Sequence, residues 1–385
     1  MSQRLLITNC RLYDVPDDTR TTSILIENGI IIQIGQINPS ADINNTLDAK
    51  GRIAAPGFID VHIQGAGGAD VLDATPEALK AISHTCARFG TTSFLATTVF
   101  KPKQKNQHLS VSAEYVGQDL GGANLLGIHL EGPFISMHKK GMIQPDCICP
   151  PSIQVLDEIM EITNGQLKMM TIAPELPEST QIIRRLIDSS IIASFGHSSA
   201  TYEQTIDGFN AGISHVTHLF NAMPTLHHRT PGPLAAIFQT KHITAQLIPD
   251  GVHIHPAVLK LAFEILGPNR IIPITDGMQA LGLGDGLFIY NGIEYESNNG
   301  AARYKDGTLI GTALGQSQLL ERLTNFTGCP FETAIKTVTQ KTAELLGIED
   351  RKGSIATGKD ADLVLLDRKY SIHTTIVAGK VVFVK

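Results

Sequence analysis

The sequence has no excess of basic residues: 31 Lys and Arg stand against 37 Asp and Glu, a formal net charge of −6. A nucleic-acid binder ordinarily carries a strong positive balance, so that class is excluded. An anionic ligand would have to be held by a few placed cations and backbone dipoles, not by a general field. Long apolar runs are also missing. No stretch of 18 apolar residues occurs, and the opening MSQRLLITNC lacks the apolar core of a signal peptide, so no membrane partner is expected. Cysteine is sparse, with five residues at positions 10, 86, 147, 149 and 329 and no framework spacing. Reduced thiols in a cytoplasmic protein are the expectation. Cys147 and Cys149 lack the second pair that a metal clip needs and read as a loop feature. What the chain does have is 42% hydrophobic residues, 35 glycines and 19 prolines among 385 residues. That is material for a large core with many short turns, in a chain of α/β enzyme size.

The two ends differ from the middle. Residues 1–54 hold short alternating stretches, RLLITNCRLYD and SILIENGIIIQIGQI, with Asn28-Gly29 as a hairpin turn. The last residues, 351–385, repeat that pattern in DADLVLLD, SIHTTIVAG and KVVFVK. Neither end could bury much alone, so the expectation is one small β-sandwich domain built from both termini. Residues 55–350 alternate apolar strand-like runs with helix-like connections. The runs are 57–65, 91–98, 124–133, 168–175, 191–197, 213–219, 243–253 and 270–278. Eight β/α repeats predict an α/β fold, a (β/α)8 TIM-type barrel.

Polar residues fall at the ends of those runs: Asp60, His62 and Gln64; His129 and Glu131; His197; His215 and His218; Asp250 and His253; Asp276. Barrel strands are buried on both faces, so ionisable residues there need a reason. The C-terminal ends of the strands are where barrel active sites sit. A glutamate and two histidines from separate strands can make a catalytic zinc site with one open position for water. The same donors suit Fe(II). A carboxylate such as Asp276 beside that site can take a proton from water and return it to a leaving group, which describes metal-assisted hydrolysis of an amide or related bond. His129 and His215 each have a better-placed neighbour and read equally well as structural.

The motifs PGFIDVHIQGAGGAD (56–70), HLEGPF (129–134), GHSSA (196–200), THLFNAMP (217–224), PDGVHIHP (249–256), ITDGMQALG (274–282), DGTLIGTAL (306–314) and GSIATGKDADLVLLD (353–367) occur in order across nearly the whole chain. Together they resemble the N-acetylglucosamine-6-phosphate deacetylases of the amidohydrolase superfamily. The resemblance implies a barrel of the amidohydrolase kind with a terminal β sandwich, in agreement with the reading above. It implies Glu131, His197 and His218 as metal ligands and Asp276 as general acid/base. It further implies that Asn221, Ala222 and His253 line the sugar pocket, that Leu309, Ile310 and Gly311 close it, and that Met142 lies in the covering loop. Arg229 falls where the family places its phosphate-binding arginine, reaching into the neighbouring site of a homodimer.

Two departures stand out. Many superfamily members carry His-x-His after the first strand for a second metal, and here the motif is His62-Ile63-Gln64. Glutamine is a poor ligand for zinc or iron, so one divalent ion per subunit is expected, zinc first and iron second, with His62 as an auxiliary. At Ile143 some relatives carry a histidine, so help for the substrate carbonyl must come from elsewhere, with His253 a candidate. The expected reaction is hydrolysis of N-acetylglucosamine 6-phosphate to glucosamine 6-phosphate and acetate, with a phosphorylated N-acetyl amino sugar as the small-molecule partner. The rivals are the same chemistry on N-acetylgalactosamine 6-phosphate and, from another class, an inactive barrel serving as a scaffold.

Overall fold

A computed structural model describes residues 4–15, 20–37, 43 and 45–385. Eight parallel strands form the central sheet: β1 (Phe58–Ile63), β2 (Thr91–Thr98), β3 (Asn124–Glu131), β4 (Leu167–Ile172), β5 (Ile192–Phe195), β6 (His215–Val216), β7 (Thr244–Leu247) and β8 (Ile271–Pro273). They are hydrogen-bonded in chain order from β1 to β8. All eight predicted runs are present. β1 and β2 are buried along their whole length, as strands covered on both faces must be. The sheet closes just beyond β8. Asp276 N–H donates to the His62 carbonyl at 2.9 Å, Gln64 N–H donates to the Gly277 carbonyl at 2.9 Å, and Ile63 pairs with Gly277.

The connections carry helices for reasons visible in the sequence. The helix Pro76–Arg88 starts with Thr75, whose hydroxyl accepts from Ala78 N–H, and with proline at its first position. It buries Leu79, Ile82 and Cys86, one helical face. The helix Ser179–Asp188 buries Ile182, Ile183 and Leu186 in the same way.

Both chain ends supply one further sheet. The strands Thr22–Glu27 and Ile30–Gly35 lie on one side of Arg4–Leu12, and Asn45–Asp48, Ile53–Pro56, Leu363–Leu366, Ile372–Val377 and Lys380–Val384 on the other. Arg4–Leu12 runs through both halves, pairing with Asn45–Asp48 early and with Ile53–Pro56 late. Side chains from both halves, including Ile7, Ile24, Ile31, Leu363, Leu365 and Ile376, fill one core. Among the described residues, no helix is long and apolar enough to cross a membrane.

One feature was not legible in the sequence. Between β8 and the helix Gln316–Thr327 lies a four-stranded antiparallel meander, Gly286–Tyr290, Ile293–Asn298, Ala301–Tyr304 and Leu309–Thr312. Its Tyr290, Tyr295 and Ile310 pack with Met142, Ile143 and Met278. The meander therefore presses the loop that follows β3 down onto the barrel mouth.

Candidate active site

Glu131 is the last residue of β3, while His197 and His218 each stand two residues beyond β5 and β6. The backbone bends sharply at these points. His197, His218 and Asp276 all have positive φ, 48°, 27° and 47°. Such conformations cost on the order of 1–3 kcal/mol each and persist where the surroundings impose them. Here they turn three side chains off the strand ends and into one cavity of about 210 Å3.

The geometry at its floor is tight. Glu131 Oε1 lies 3.1 Å from His197 Nε2 and 3.0 Å from His218 Nε2, and the two nitrogens are 3.0 Å apart. The three residues are only 2%, 4% and 5% exposed. His197 Nδ1 donates to the Lys139 carbonyl at 2.7 Å, so its Nε2 presents a lone pair to the carboxylate. Lone pairs packed this closely on one point repel unless a cation sits among them. The donor set, one carboxylate and two imidazoles within 4.8 Å of one another, suits a divalent metal. Burial works to raise the Glu131 carboxyl, but the neighbouring imidazoles of His62, His197 and His218 outweigh it and hold it well below the usual range. His218 is shifted upward: burial opposes its charged form, and its bond to Glu131 more than compensates.

His62 and Gln64 flank this cluster. His62 Nδ1 donates to Gln246 Oε1 at 3.0 Å, which aims Nε2 at Glu131 Oε1 (3.6 Å) and Asp276 Oδ1 (3.3 Å). The Gln64 amide nitrogen lies 3.4 Å from Glu131 Oε2 and from His62 Nε2. An amide donor thus faces the position where a second histidine would offer a lone pair. Asp276 is held from three sides. Its N–H is bound to β1, its carbonyl accepts from Thr312 N–H at 2.8 Å, and the neighbouring Thr275 hydroxyl donates to Asp60 at 2.5 Å. Burial pushes the Asp60 carboxyl up to about 6.

Met142, Asn221, Ala222, His253, Leu309 and Ile310 line the same cavity as Glu131, His197, His218 and Asp276. Gly311 is not in the lining. A Cβ there would stand 2.4 Å from the Asp276 carbonyl, and its φ of +140° is one that side chains rarely adopt. Its place is to let the meander strand close against Asp276. Arg229 stands outside the cavity, exposed, with Nη1 at 2.8 Å from His228 Nε2. His129 and His215 do not join the cluster. They bond to Thr171 and the Val61 carbonyl, and to Thr244, respectively. Burial, helped by nearby His62, lowers both, His215 to about 3, so they are neutral members of the barrel interior. Gly65–Gly68 packs closely against Ala69, Gln279 and Thr85.

Sequence reasoning missed the residues that aim the ligands. Gln246 orients His62 and also accepts from His218 N–H at 3.2 Å. Its only signal was a polar residue inside the apolar run ITAQLIPD. Glu175 accepts from the Ser198 hydroxyl and Ser199 N–H, both at 2.6 Å, and so fixes the turn after His197.

A parallel barrel with a carboxylate–imidazole cluster and a carboxylate at its C-terminal mouth defines a metal-dependent hydrolase of the barrel class. The amidohydrolase family model matches residues 53–382. The chain is 36% identical to the N-acetylglucosamine-6-phosphate deacetylase of Bacillus subtilis (strain 168), across 100% of this chain and 98% of the relative. It is 32% identical to the N-acetylgalactosamine-6-phosphate deacetylase of Escherichia coli O157:H7, covering 92% and 93%. It superposes with a TM-score of 0.89 and 29% identity on an N-acetyl-D-glucosamine-6-phosphate deacetylase variant from Mycobacterium smegmatis in complex with N-acetyl-D-glucosamine-6-phosphate, covering 99% of both chains. The chain belongs to the amidohydrolase family and, within it, to the N-acetylglucosamine-6-phosphate deacetylase group.

Proposed function

We propose that this chain hydrolyses the acetamide of N-acetylglucosamine 6-phosphate, giving glucosamine 6-phosphate and acetate. The observation that carries the reading is the convergence of Glu131, His197, His218 and Asp276 in one closed-bottomed cavity. A scaffold would have no use for four such groups, three of them held in strained backbone. A divalent cation held by Glu131, His197 and His218, zinc first and iron second, supplies Lewis acidity toward the acetamide carbonyl and the attacking water. Asp276 accepts the proton from that water and returns it to the departing amine. Asn221 and Ala222 orient the sugar, while Met142, Leu309 and Ile310 exclude bulk water from above. The galactosamine alternative is the weaker reading; a steady-state assay on both phosphosugars tests it. Preferential turnover of the galacto epimer would overturn our choice. The reading places the enzyme in the cytoplasm, where its five free thiols stay reduced.

Gln64 bears on metal stoichiometry. With an amide donor in the second-metal position, one tightly held divalent ion per chain is expected. Elemental analysis of the purified protein checks it; two tightly bound ions per active subunit would contradict it.

Arg229 is assigned to the phosphate of a site in the neighbouring subunit of a homodimer. Its exposure on the segment 225–230, outside its own chain's cavity, supports that arrangement. Losing a charge-assisted contact should cost about 1.5–3 kcal/mol. Arg229→Ala should then raise KM for the phosphosugar about tenfold or more and leave the unphosphorylated sugar nearly unaffected. Mixing Arg229→Ala with Asp276→Asn chains should regain activity, because hybrid dimers contain one site with both residues intact. Hybrids that form without regaining activity would place Arg229 in its own subunit's site or in none.

A further inference from the structure

Asp250 has no part in the acetamide chemistry, yet both of its carboxylate oxygens are fully engaged beside the cavity. It lies three residues beyond β7 in the segment PDGVH. Oδ1 accepts from Val252 N–H at 2.9 Å and from His253 N–H at 2.8 Å, and Oδ2 accepts from His253 Nδ1 at 2.6 Å. The two side chains are 1% and 4% exposed. The turn is clamped from outside as well. Arg322, on the helix Gln316–Thr327, donates to the Asp250 carbonyl at 2.5 Å, and the Phe326 ring packs against Gly251, whose φ is +76°. Burial alone would raise the Asp250 carboxyl, but the hydrogen bond from His253 and the two backbone donors hold it below the usual range.

An ionised carboxylate accepts only, so the proton in this pair resides on His253 Nδ1. Nε2 is then the ring nitrogen available to a ligand in the cavity that His253 lines. In the neutral ring it carries a lone pair, which repels a carbonyl oxygen and accepts from a hydroxyl. We propose that Asp250 is a positioning residue that fixes the His253 tautomer, so that Nε2 accepts a hydrogen bond from a ring hydroxyl of the substrate and the pair reads the sugar. The proposal rests on the functional reading above, in that it takes the occupant to be a hydroxylated amino-sugar phosphate. It also gives His253 a task other than polarising the acetamide carbonyl.

Asparagine at position 250 separates tautomer control from simple support of the turn. Its Oδ1 can still accept from Val252 and His253 N–H, which points Nδ2 at His253 Nδ1. An amide donor there demands a lone pair on Nδ1 and moves the ring proton to Nε2. Asp250→Asn should therefore raise KM for N-acetylglucosamine 6-phosphate about tenfold, the loss of one hydrogen bond, with metal content and melting temperature unchanged. In a His253→Ala background the same change should add less than about twofold, since it acts through the ring. Nitrogen-15 NMR of the histidine rings should show Nδ1 protonated in the natural protein and Nε2 protonated in the variant. A KM within twofold of normal, an equal loss in the His253→Ala background, a loss of metal or fold, or a natural ring protonated only at Nε2 would each overturn the proposal. A natural chain inert toward the sugar but protonated at Nδ1 would sink the functional reading and leave the tautomer assignment standing.

Discussion

Asp276→Asn should keep the fold and the metal yet lose on the order of 10² or more in kcat, the usual effect of removing a general base. Asparagine matches the shape of aspartate and can remain at the turn where Thr312 N–H and the His62 carbonyl hold the backbone. It cannot accept the proton of an attacking water. Asp276 also makes no contact with His197 or His218 within hydrogen-bonding distance among the contacts described, so the ligand cluster stays intact. Steady-state kinetics together with metal analysis check this. A near-normal kcat in metal-replete protein would move the proton-transfer role elsewhere, with His253 next in line.

The second large effect is expected at Glu131. Its Oε1 is the atom that both His197 and His218 approach, at 3.1 and 3.0 Å, so it is the common vertex of the donor set. Glu131→Gln replaces a charged oxygen with a neutral amide and leaves the two imidazoles without a counter-charge. Changes in groups that merely orient a ligand typically cost about 10–100-fold in metal affinity, and loss of the ligand itself should exceed that. The variant should emerge from desalting without stoichiometric metal and without activity. Full metal retention by Glu131→Gln would remove Glu131 from the site.

Most of the barrel could be read because two signals coincided. Each strand lies within a short apolar run, and each run that matters ends in an ionisable residue that the interior would otherwise reject. The meander at 286–312 escaped because its strands lack that contrast. Ile293–Asn298 buries only Tyr295 and Ser297 among exposed residues, and Gly286–Tyr290 is largely exposed. Such a pattern resembles a surface connection until the partner strands are known. The ligand residues were legible as side chains, but the groups that aim them were not. The Lys139 carbonyl that sets the His197 tautomer is backbone and leaves no trace in the sequence. Gln246 is one polar residue in one strand, and Glu175 lies on a loop after β4, far along the chain from the turn it fixes. The resemblance implies Gly311 among the residues that close the pocket; its close approach to the Asp276 carbonyl leaves no trace in the sequence.

The Glu131–His197–His218 cluster and Asp276 sit on different joints of the molecule. Glu131, His197 and His218 come from β3, β5 and β6, inside the continuous run of the sheet. Asp276 lies at the seam, where the segment after β8 meets β1 through a few backbone bonds and the meander strand Leu309–Thr312 covers them. On the roles proposed above, metal content would report only that the middle of the sheet is assembled, whereas turnover would report that the ring is shut. Loosening the seam would leave a protein that scavenges its ion normally and does nothing with it, a failure invisible to any purification judged by colour, mass or metal.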